Sequence, residues 1–187
     1  MERTVVVTGA AGFVGSETVR HLQERGHHVV AVDRERPADP SGDRFVVADL
    51  LDAGEVFAVL ADADPDGVVH LGTVPHPDAH PAAPVFRSNV LTSYVVLAAA
   101  ETVGVGRVCI ASSVNAVGRD FQDVPMAVEY LPIDESHPAT PRDPYGLAKH
   151  VVEHVADGFG RRPGPPHTVS TVRLPAVHHE AERQGYR

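Results

Sequence analysis

The chain has 187 residues, of which 43% are hydrophobic and 22% are charged, as expected of one globular domain with a core of useful size. Its net charge of −9, without a basic stripe, argues against a nucleic-acid-binding surface, and no apolar run approaches the length that spans a membrane. The one cysteine, Cys109, excludes an internal disulfide framework, so we expect a cytoplasmic protein.

Short apolar runs alternate with helical segments along the whole chain. We predict strands at 4–8, 28–33, 44–48, 67–71, 107–111 and 168–174. We predict helices at 12–25, 52–60, 85–103 and 144–159. We also predict a surface loop at 73–84 and a long irregular segment at 114–143. The alternation predicts an α/β fold, a doubly wound parallel sheet with helices on both faces. We assign residues 1–175 to this domain and residues 176–187 to a polar tail.

The first strand ends in a glycine-rich turn that opens directly into a helix. The segment Thr8-Gly9-Ala10-Ala11-Gly12-Phe13-Val14-Gly15 spaces its glycines as G-x-x-G-x-x-G. Glycines let the backbone approach a pyrophosphate closely, and the helix N-terminus offers N–H groups and the positive end of its dipole. We therefore predict a phosphate-binding site at the start of this helix, with cofactor contacts from Gly9, Ala11, Gly12, Phe13, Val14 and Gly15.

An acidic residue, Asp33, closes the second predicted strand. At that place a carboxylate is expected to accept hydrogen bonds from the adenine ribose hydroxyls, and its charge repels a 2′-phosphate. Asp33 therefore favours NAD as the cofactor. Arg34 and Arg36 follow it and could clamp the phosphate instead, so NADP is the alternative.

The chain resembles the extended, epimerase/dehydratase-like branch of the short-chain dehydrogenase/reductase family, whose nucleotide-binding domain has the Rossmann fold. The glycine turn matches that branch's T-G-x-x-G-x-x-G, and the resemblance extends over residues 4–174. Further matching segments are Ala48-Asp49-Leu50, His70-Leu71-Gly72-Thr73, which is similar to the family's H-L-A-A, and Ser88-Asn89-Val90. The resemblance implies additional cofactor contacts from Arg34, Asp49, Leu50, Leu71, Gly72, Thr73 and Asn89.

The resemblance also implies a catalytic set. Tyr145-Gly146-Leu147-Ala148-Lys149 matches the family's Y-x-x-x-K, and residues four apart lie on one face of a helix. Ser113 is implied as the catalytic serine that bonds the substrate oxygen, with Ser112 as the alternative and a further cofactor contact. Tyr145 takes the substrate proton, and Lys149 holds the nicotinamide ribose. A lysine cation near the phenol, together with an oxidised nicotinamide, is expected to lower the pKa of Tyr145.

The activity that the resemblance implies is hydride transfer between NAD and a small, sugar-derived alcohol or ketone, by a dehydrogenase, an epimerase or a dehydratase. Val117 stands where nucleotide-sugar epimerases usually have tyrosine, which makes this segment more similar to hexuronate dehydrogenases. Family members carry a further C-terminal region that builds the substrate pocket, and most of it is missing here. A regulator that binds NAD(P) without turnover is therefore the alternative function.

Two other interpretations concern assembly and metals. Family members often dimerise through the long helix and the Tyr-Lys helix, and Val151, Val152 and Val155 could form an apolar stripe for a homodimer or pack on the sheet. His76 and His80 have metal-like spacing, but prolines flank both histidines and no third ligand is evident. We therefore predict no metal site.

Overall fold

The computed structural model describes residues 1–79, 81–121 and 124–177, so residues 178–187 of the predicted tail lie outside it. The strands are β1 Thr4–Thr8, β2 His28–Asp33, β3 Arg44–Val47, β4 Gly67–His70, β5 Arg107–Ser113 and β6 Thr168–Leu174. The helices are α1 Phe13–Glu24, α2 Ala53–Ala63, α3 Ala82–Val103 and α4 Pro144–Gly160. The strands form one parallel sheet in the order β3-β2-β1-β4-β5-β6, which confirms the doubly wound α/β fold.

The ends of three elements differ from the sequence prediction by more than one residue. α3 begins at Ala82, three residues earlier than predicted, because Pro84 lies in its first turn, where a missing N–H breaks no helical hydrogen bond. α2 continues to Ala63, three residues further than predicted. β5 runs to Ser113 because β6 pairs with it along its whole length.

The two faces of the sheet are covered unequally. α2, α3 and α4 pack on one face, where the buried core includes Val6, Val30, Val68, Val96, Leu97, Ile110, Val152 and Phe159. α1 packs on the other face through Val19, which lies against buried valines of β1 and β2. Among the described residues no helix covers β5 and β6 on this second face, so Val172 is 45% exposed and Cys109 is only half-buried. The predicted cover by helices on both faces is therefore partial.

The topology brings the segments that carry the sequence motifs to one edge of the sheet. The strand order reverses between β1 and β4, and this is where ligands bind in open α/β sheets. The glycine turn follows β1, Leu71 and Thr73 follow β4, and the serine pair ends β5. None of the described helices is long and apolar enough to cross a membrane.

Candidate active site

A cavity of about 470 Å³ lies at this edge of the sheet, between the glycine turn and α4. Predicted site residues that line it are Gly9, Gly12, Phe13, Val14, Gly15, Leu71, Thr73, Ser112, Ser113, Tyr145 and Lys149. Residues that sequence reasoning did not place here include Asn115, Phe121, Leu174 and Pro175. The structure therefore brings the predicted catalytic set and the glycine turn to a single cavity.

The glycine turn is a cradle that side chains would fill. Gly9 has a left-handed backbone, with φ +71°, and a Cβ there would lie 2.6 Å from the backbone nitrogen of Gly72. A Cβ on Gly15 would lie 2.0 Å from the carbonyl oxygen of Gly9. Gly12 occupies the N-cap of α1 and has no side chain to cover the first turn of the helix. This bare turn at a helix N-terminus fits a pyrophosphate group.

Asp33 is fixed against the glycine turn by backbone donors. Its carboxylate accepts the N–H of Ala11 at 2.9 Å and the N–H of Arg34 at 2.7 Å. The guanidinium of Arg36 donates to the carbonyl of Phe45 at 2.6 Å and lies 5.0 Å from the centre of its ring. Arg36 is therefore engaged within the protein, while the side chain of Arg34 is 73% exposed.

Some predicted cofactor residues bond to the protein itself and do not line the cavity. Asn89 is fully buried, and its amide side chain donates to the carbonyl of Val74 at 3.0 Å and accepts its N–H at 2.7 Å. It therefore fastens the loop after β4. Asp49 accepts a backbone N–H of its own loop, and Leu50 packs against Gly72. The cofactor contacts of these residues stay predictions.

The two serines at the end of β5 have different partners, because successive side chains of a strand point to opposite faces. The hydroxyl of Ser113 interacts with the phenol of Tyr145, and it accepts the N–H of Asn115 at 3.1 Å. Ser112 donates instead to Glu153 on α4, at 2.5 Å. The structure therefore brings Ser113, and not Ser112, to the hydroxyl of Tyr145.

Lys149 is almost completely buried beneath the cavity, at 1% exposure. Its ammonium donates to the carbonyl oxygen of Ala111 at 2.7 Å and to the hydroxyl of Thr73 at 3.2 Å. It lies 5.7 Å from the centre of the Tyr145 ring. Burial lowers the pKa of Lys149 to about 7, because its hydrogen-bonding partners are neutral and the charged form is deprived of water.

The pKa of Tyr145 is raised from its ordinary value, which differs from the expected lowering. Burial of the phenol is the main cause; the hydrogen bond with Ser113 opposes it, and the nearby Asp143 carboxylate adds to it. The lowering expected from Lys149 together with an oxidised nicotinamide stays a prediction for the protein with bound cofactor. Asp143 also caps α4 by accepting the N–H of Gly146 at 2.7 Å, which fixes the turn that carries the phenol.

A half-buried ion pair next to the site was missed from the sequence. Arg173 on β6 donates two hydrogen bonds of 2.9 Å to the carboxylate of Glu153, which also accepts from Ser112. Burial alone would raise the pKa of Glu153, but these bonds outweigh it and hold the pKa below its ordinary value. The spacing gave a usable signal, since Glu153 lies four residues after Lys149 and therefore on the same face of α4.

A second missed group is His70, which is fully buried at the end of β4. Its ring nitrogens lie 2.7 Å from the hydroxyl of Thr8 and 3.2 Å from that of Ser93. Burial, with a smaller effect of the Lys149 charge, lowers the pKa of His70 to about 3. His70 is therefore neutral at physiological pH and ties β4 to both β1 and α3.

Metal binding has no support in the part of the chain that the structure describes. No group of three or more His, Cys, Asp or Glu residues there could hold a metal ion. His76 packs against the ring of Phe121, with ring centres 4.5 Å apart. His80, the other member of the pair with metal-like spacing, lies outside the described residues.

Comparison with known proteins supports the resemblance to the epimerase/dehydratase family. The sequence model of the NAD dependent epimerase/dehydratase family matches residues 5–183. A UDP-glucose 4-epimerase from Rhizobium leguminosarum bv. trifolii is 29% identical over 155 residues, which cover 80% of this chain and 45% of that enzyme. A putative UDP-glucose 4-epimerase from Methanocaldococcus jannaschii is 30% identical over 164 residues, which cover 84% of this chain and 51% of the relative.

Solved structures agree with the sequence comparison. A short-chain dehydrogenase/reductase superfamily protein from Agrobacterium tumefaciens with bound NAD is 32% identical, with a TM-score of 0.75 over 91% of this chain and 48% of its own. MoeE5 in complex with UDP-glucose and NAD is also 32% identical, with a TM-score of 0.74 over 91% of this chain and 53% of its own. The chain thus spans about half the length of these relatives, and it belongs to the NAD-dependent epimerase/dehydratase family, the extended short-chain dehydrogenases/reductases.

Proposed function

We propose that the protein binds NAD at the glycine turn and acts as an oxidoreductase or epimerase on an alcohol or ketone carbon of a sugar-derived small molecule. The observation that carries this proposal is that Ser113, Tyr145 and Lys149 line the same cavity as the glycine turn. Relatives of known structure that contain NAD, or NAD with UDP-glucose, support the cofactor and the substrate class. Nucleotide sugars and uronic acids are therefore the first substrates to test.

The cofactor end of the site favours NAD over NADP. Gly9, Gly12 and Gly15 leave room for a pyrophosphate, and the Asp33 carboxylate is held where it would accept ribose hydroxyls and repel a 2′-phosphate. Of the two arginines that could clamp that phosphate, Arg36 is occupied by its contacts with the protein, and Arg34 is exposed. When bound, NAD supplies the acceptor for the hydride.

The chain's own residues handle the proton. Tyr145 exchanges a proton with the substrate oxygen, and the hydroxyl of Ser113, which interacts with the phenol, orients that oxygen. Lys149 presents a cation below the phenol, which counters the effect of burial on Tyr145 once the charge of the oxidised nicotinamide is added. Tyr145 thus exchanges the proton, Ser113 orients the substrate oxygen, and Lys149 supplies electrostatic support.

The replacement Tyr145→Phe tests this assignment. We expect turnover to fall by about 10²–10⁴-fold while NAD affinity changes little, because the phenol exchanges the proton and the ring remains. Calorimetry measures the binding of NAD and NADP, and NADH absorbance follows oxidation of UDP-glucose, free sugars and uronic acids. Product chromatography detects epimerisation, which returns the hydride. Tyr94→Phe is the matched control, since Tyr94 lies on α3 and contacts Phe159 by its ring.

A regulator that binds NAD without turnover is the second candidate. It is favoured by the raised pKa of Tyr145, because a phenol that holds its proton is a poor base at neutral pH. NAD binding with no product in any assay would support the regulator over the enzyme. Turnover that persists in Tyr145→Phe would contradict the catalytic assignment, and absence of NAD binding would contradict both candidates.

The homodimer and the cytoplasmic location stay predictions. Of the valine stripe on α4, Val152 is fully buried and Val155 packs against the same core, so these two side chains are used within the chain. Exposed apolar side chains on α3, Phe86, Leu91 and Tyr94, are the better surface for a second copy. Sedimentation velocity of the purified protein tests the association.

A further inference from the structure

Lys149 is the only lysine of the chain, and it lies at the candidate active site. All other cationic side chains apart from histidine are arginines, whose charge does not titrate in the physiological range. A buried lysine is different, since it gains or loses its charge according to the acceptors around it. The acceptors of Lys149 are therefore the groups that decide whether the site contains a cation.

The structure provides one backbone acceptor and one side-chain acceptor. The carbonyl oxygen of Ala111 lies 2.7 Å from the ammonium, and the hydroxyl of Thr73 lies 3.2 Å from it. Substitution at Ala111 would leave the carbonyl in place. Thr73 is therefore the position at which a change of side chain removes an acceptor from Lys149.

Thr73 is held in place independently of Lys149. Its N–H donates to the carbonyl of Leu71 at 2.9 Å. The next residue, Val74, is fastened at both its N–H and its carbonyl by the buried amide of Asn89. The backbone that carries the Thr73 hydroxyl is therefore anchored to α3.

The sequence departs from the family pattern at this point. In His70-Leu71-Gly72-Thr73, the last residue stands where the family's H-L-A-A has alanine, which has no hydroxyl. A threonine in place of alanine adds one oxygen, and this oxygen contacts the ammonium of the sole lysine. The contact is therefore a property of this chain that the family pattern does not supply.

We propose that Thr73 is a positioning residue of the active site, whose hydroxyl holds the Lys149 ammonium in its charged form and fixes it between the ends of β4 and β5. The relevance of this contact to catalysis rests on the proposed function, in which Lys149 supports Tyr145. An uncharged amine at Lys149 would leave the buried phenol without a cation. Thr73 acts through Lys149 and needs no contact with the substrate.

Other groups around Lys149 do not replace this contact. Titratable and charged groups on elements packed around it include Tyr145, Asp143 and Glu153 on α4 and its cap, His70 on β4, and Arg173 on β6. Glu153 is paired with Arg173, His70 is neutral, and Asp143 bonds the N–H of Gly146. The polar side chains that α3 buries, Asn89, Thr92 and Ser93, are uncharged.

Because Lys149 is the sole lysine, its titration can be observed directly. Protein labelled with ¹³C-lysine gives a single lysine side-chain signal, whose Cε shift reports the charge of the amine as the pH is raised. Thr73→Val removes the hydroxyl and keeps the branched shape, and Thr73→Ser keeps the hydroxyl. We expect the pKa of Lys149 to fall by about one unit in Thr73→Val, a tenfold weaker binding of the proton, and to stay near the native value in Thr73→Ser.

The outcomes separate this inference from the proposed function. An identical titration in the native protein and in Thr73→Val would overturn the role of Thr73, whether or not the protein binds NAD. If the valine variant does not fold, Thr73→Ala places the residue of the family pattern there and is expected to shift the pKa in the same direction. Failure of the native protein to bind NAD in calorimetry would instead overturn the proposed function and leave the titration result standing.

Discussion

Replacement of Glu153 by glutamine would remove the charge that joins α4 to the end of β6. The carboxylate accepts two hydrogen bonds from Arg173 at 2.9 Å and one from Ser112 at 2.5 Å. The side chains of Arg173 and Glu153 are 24% and 13% exposed. The pair therefore lies between a surface salt bridge, worth about 0–1 kcal/mol, and a buried one, whose disruption costs about 3–5 kcal/mol. We expect Glu153→Gln to lower the free energy of unfolding by about 2 kcal/mol.

Urea unfolding of Glu153→Gln, Arg173→Met and the double variant measures the interaction as a double-mutant cycle. We expect a coupling energy of about 1–2 kcal/mol, because each single change leaves the other partner without its counter-charge. The pair of Glu101 and Arg162 is the matched control. Its N–O distance is 2.8 Å, but the arginine and glutamate side chains are 44% and 33% exposed, so the same cycle should give less than about 1 kcal/mol.

Additive effects of the two changes, within about 0.5 kcal/mol, would contradict the predicted ion pair, since the residues would then not interact in the folded state. The pH dependence gives a second check. The pKa of Glu153 is held below its ordinary value of 4.5, so its contribution to stability is complete above that pH and is lost as the pH falls through the lower folded value. The coupling should therefore be present at neutral pH and disappear in strong acid.

Two further predictions concern the glycine turn, with a glycine of α4 as its control, and His70. Gly15→Ala should abolish NAD binding and destabilise the fold by about 1–3 kcal/mol, because its Cβ would lie 2.0 Å from the carbonyl oxygen of Gly9. Gly158→Ala, whose Cβ would meet nothing within 4 Å, should stabilise α4 by about 0.5–1 kcal/mol. For both variants, calorimetry measures NAD binding and urea unfolding measures stability. The pKa of His70 is lowered from 6.5 to about 3, so between these pH values the unfolded chain binds a proton that the folded protein does not. The free energy of unfolding should therefore fall as the pH drops below 6.5, by up to about 1.4 kcal/mol per pH unit. Urea unfolding at successive pH values should show this slope reduced in His70→Asn, and an equal slope in both proteins would contradict it.

Most of the fold could be predicted because its signals are local. Buried parallel strands appear as short apolar runs, and the bounds of β1, β2 and β6 were predicted without error. The start of α3 was misplaced because Pro84 looks like a helix breaker unless its position in the first turn is known. The open face beside Val172 was not predicted, because no local pattern reports which helix covers a strand.

The candidate site was predictable where spacing fixes geometry, and it was not where contacts join distant segments. Tyr145 and Lys149 share a helix face by their spacing, and the structure places both at the cavity. The raised pKa of Tyr145 in the protein without cofactor was not predicted, because the sequence does not show how deeply the phenol is buried. The contact of Lys149 with Thr73 joins residues 76 positions apart, which no spacing rule anticipates.

The face of α4 that carries Tyr145 and Lys149 contacts the end of β5 residue by residue. Tyr145 interacts with the hydroxyl of Ser113, Lys149 donates to the carbonyl of Ala111, and Glu153 accepts from the hydroxyl of Ser112. Helix residues spaced by four thus contact three consecutive strand residues, so a rotation or a one-residue shift of α4 would break all the contacts together. The position of α4 therefore depends on several contacts, whereas the charge of Lys149 depends on only a few acceptors. Among the acceptors of this ammonium, Thr73 is the one that a change of side chain can remove, so it is where substitution can alter the charge while α4 stays in place.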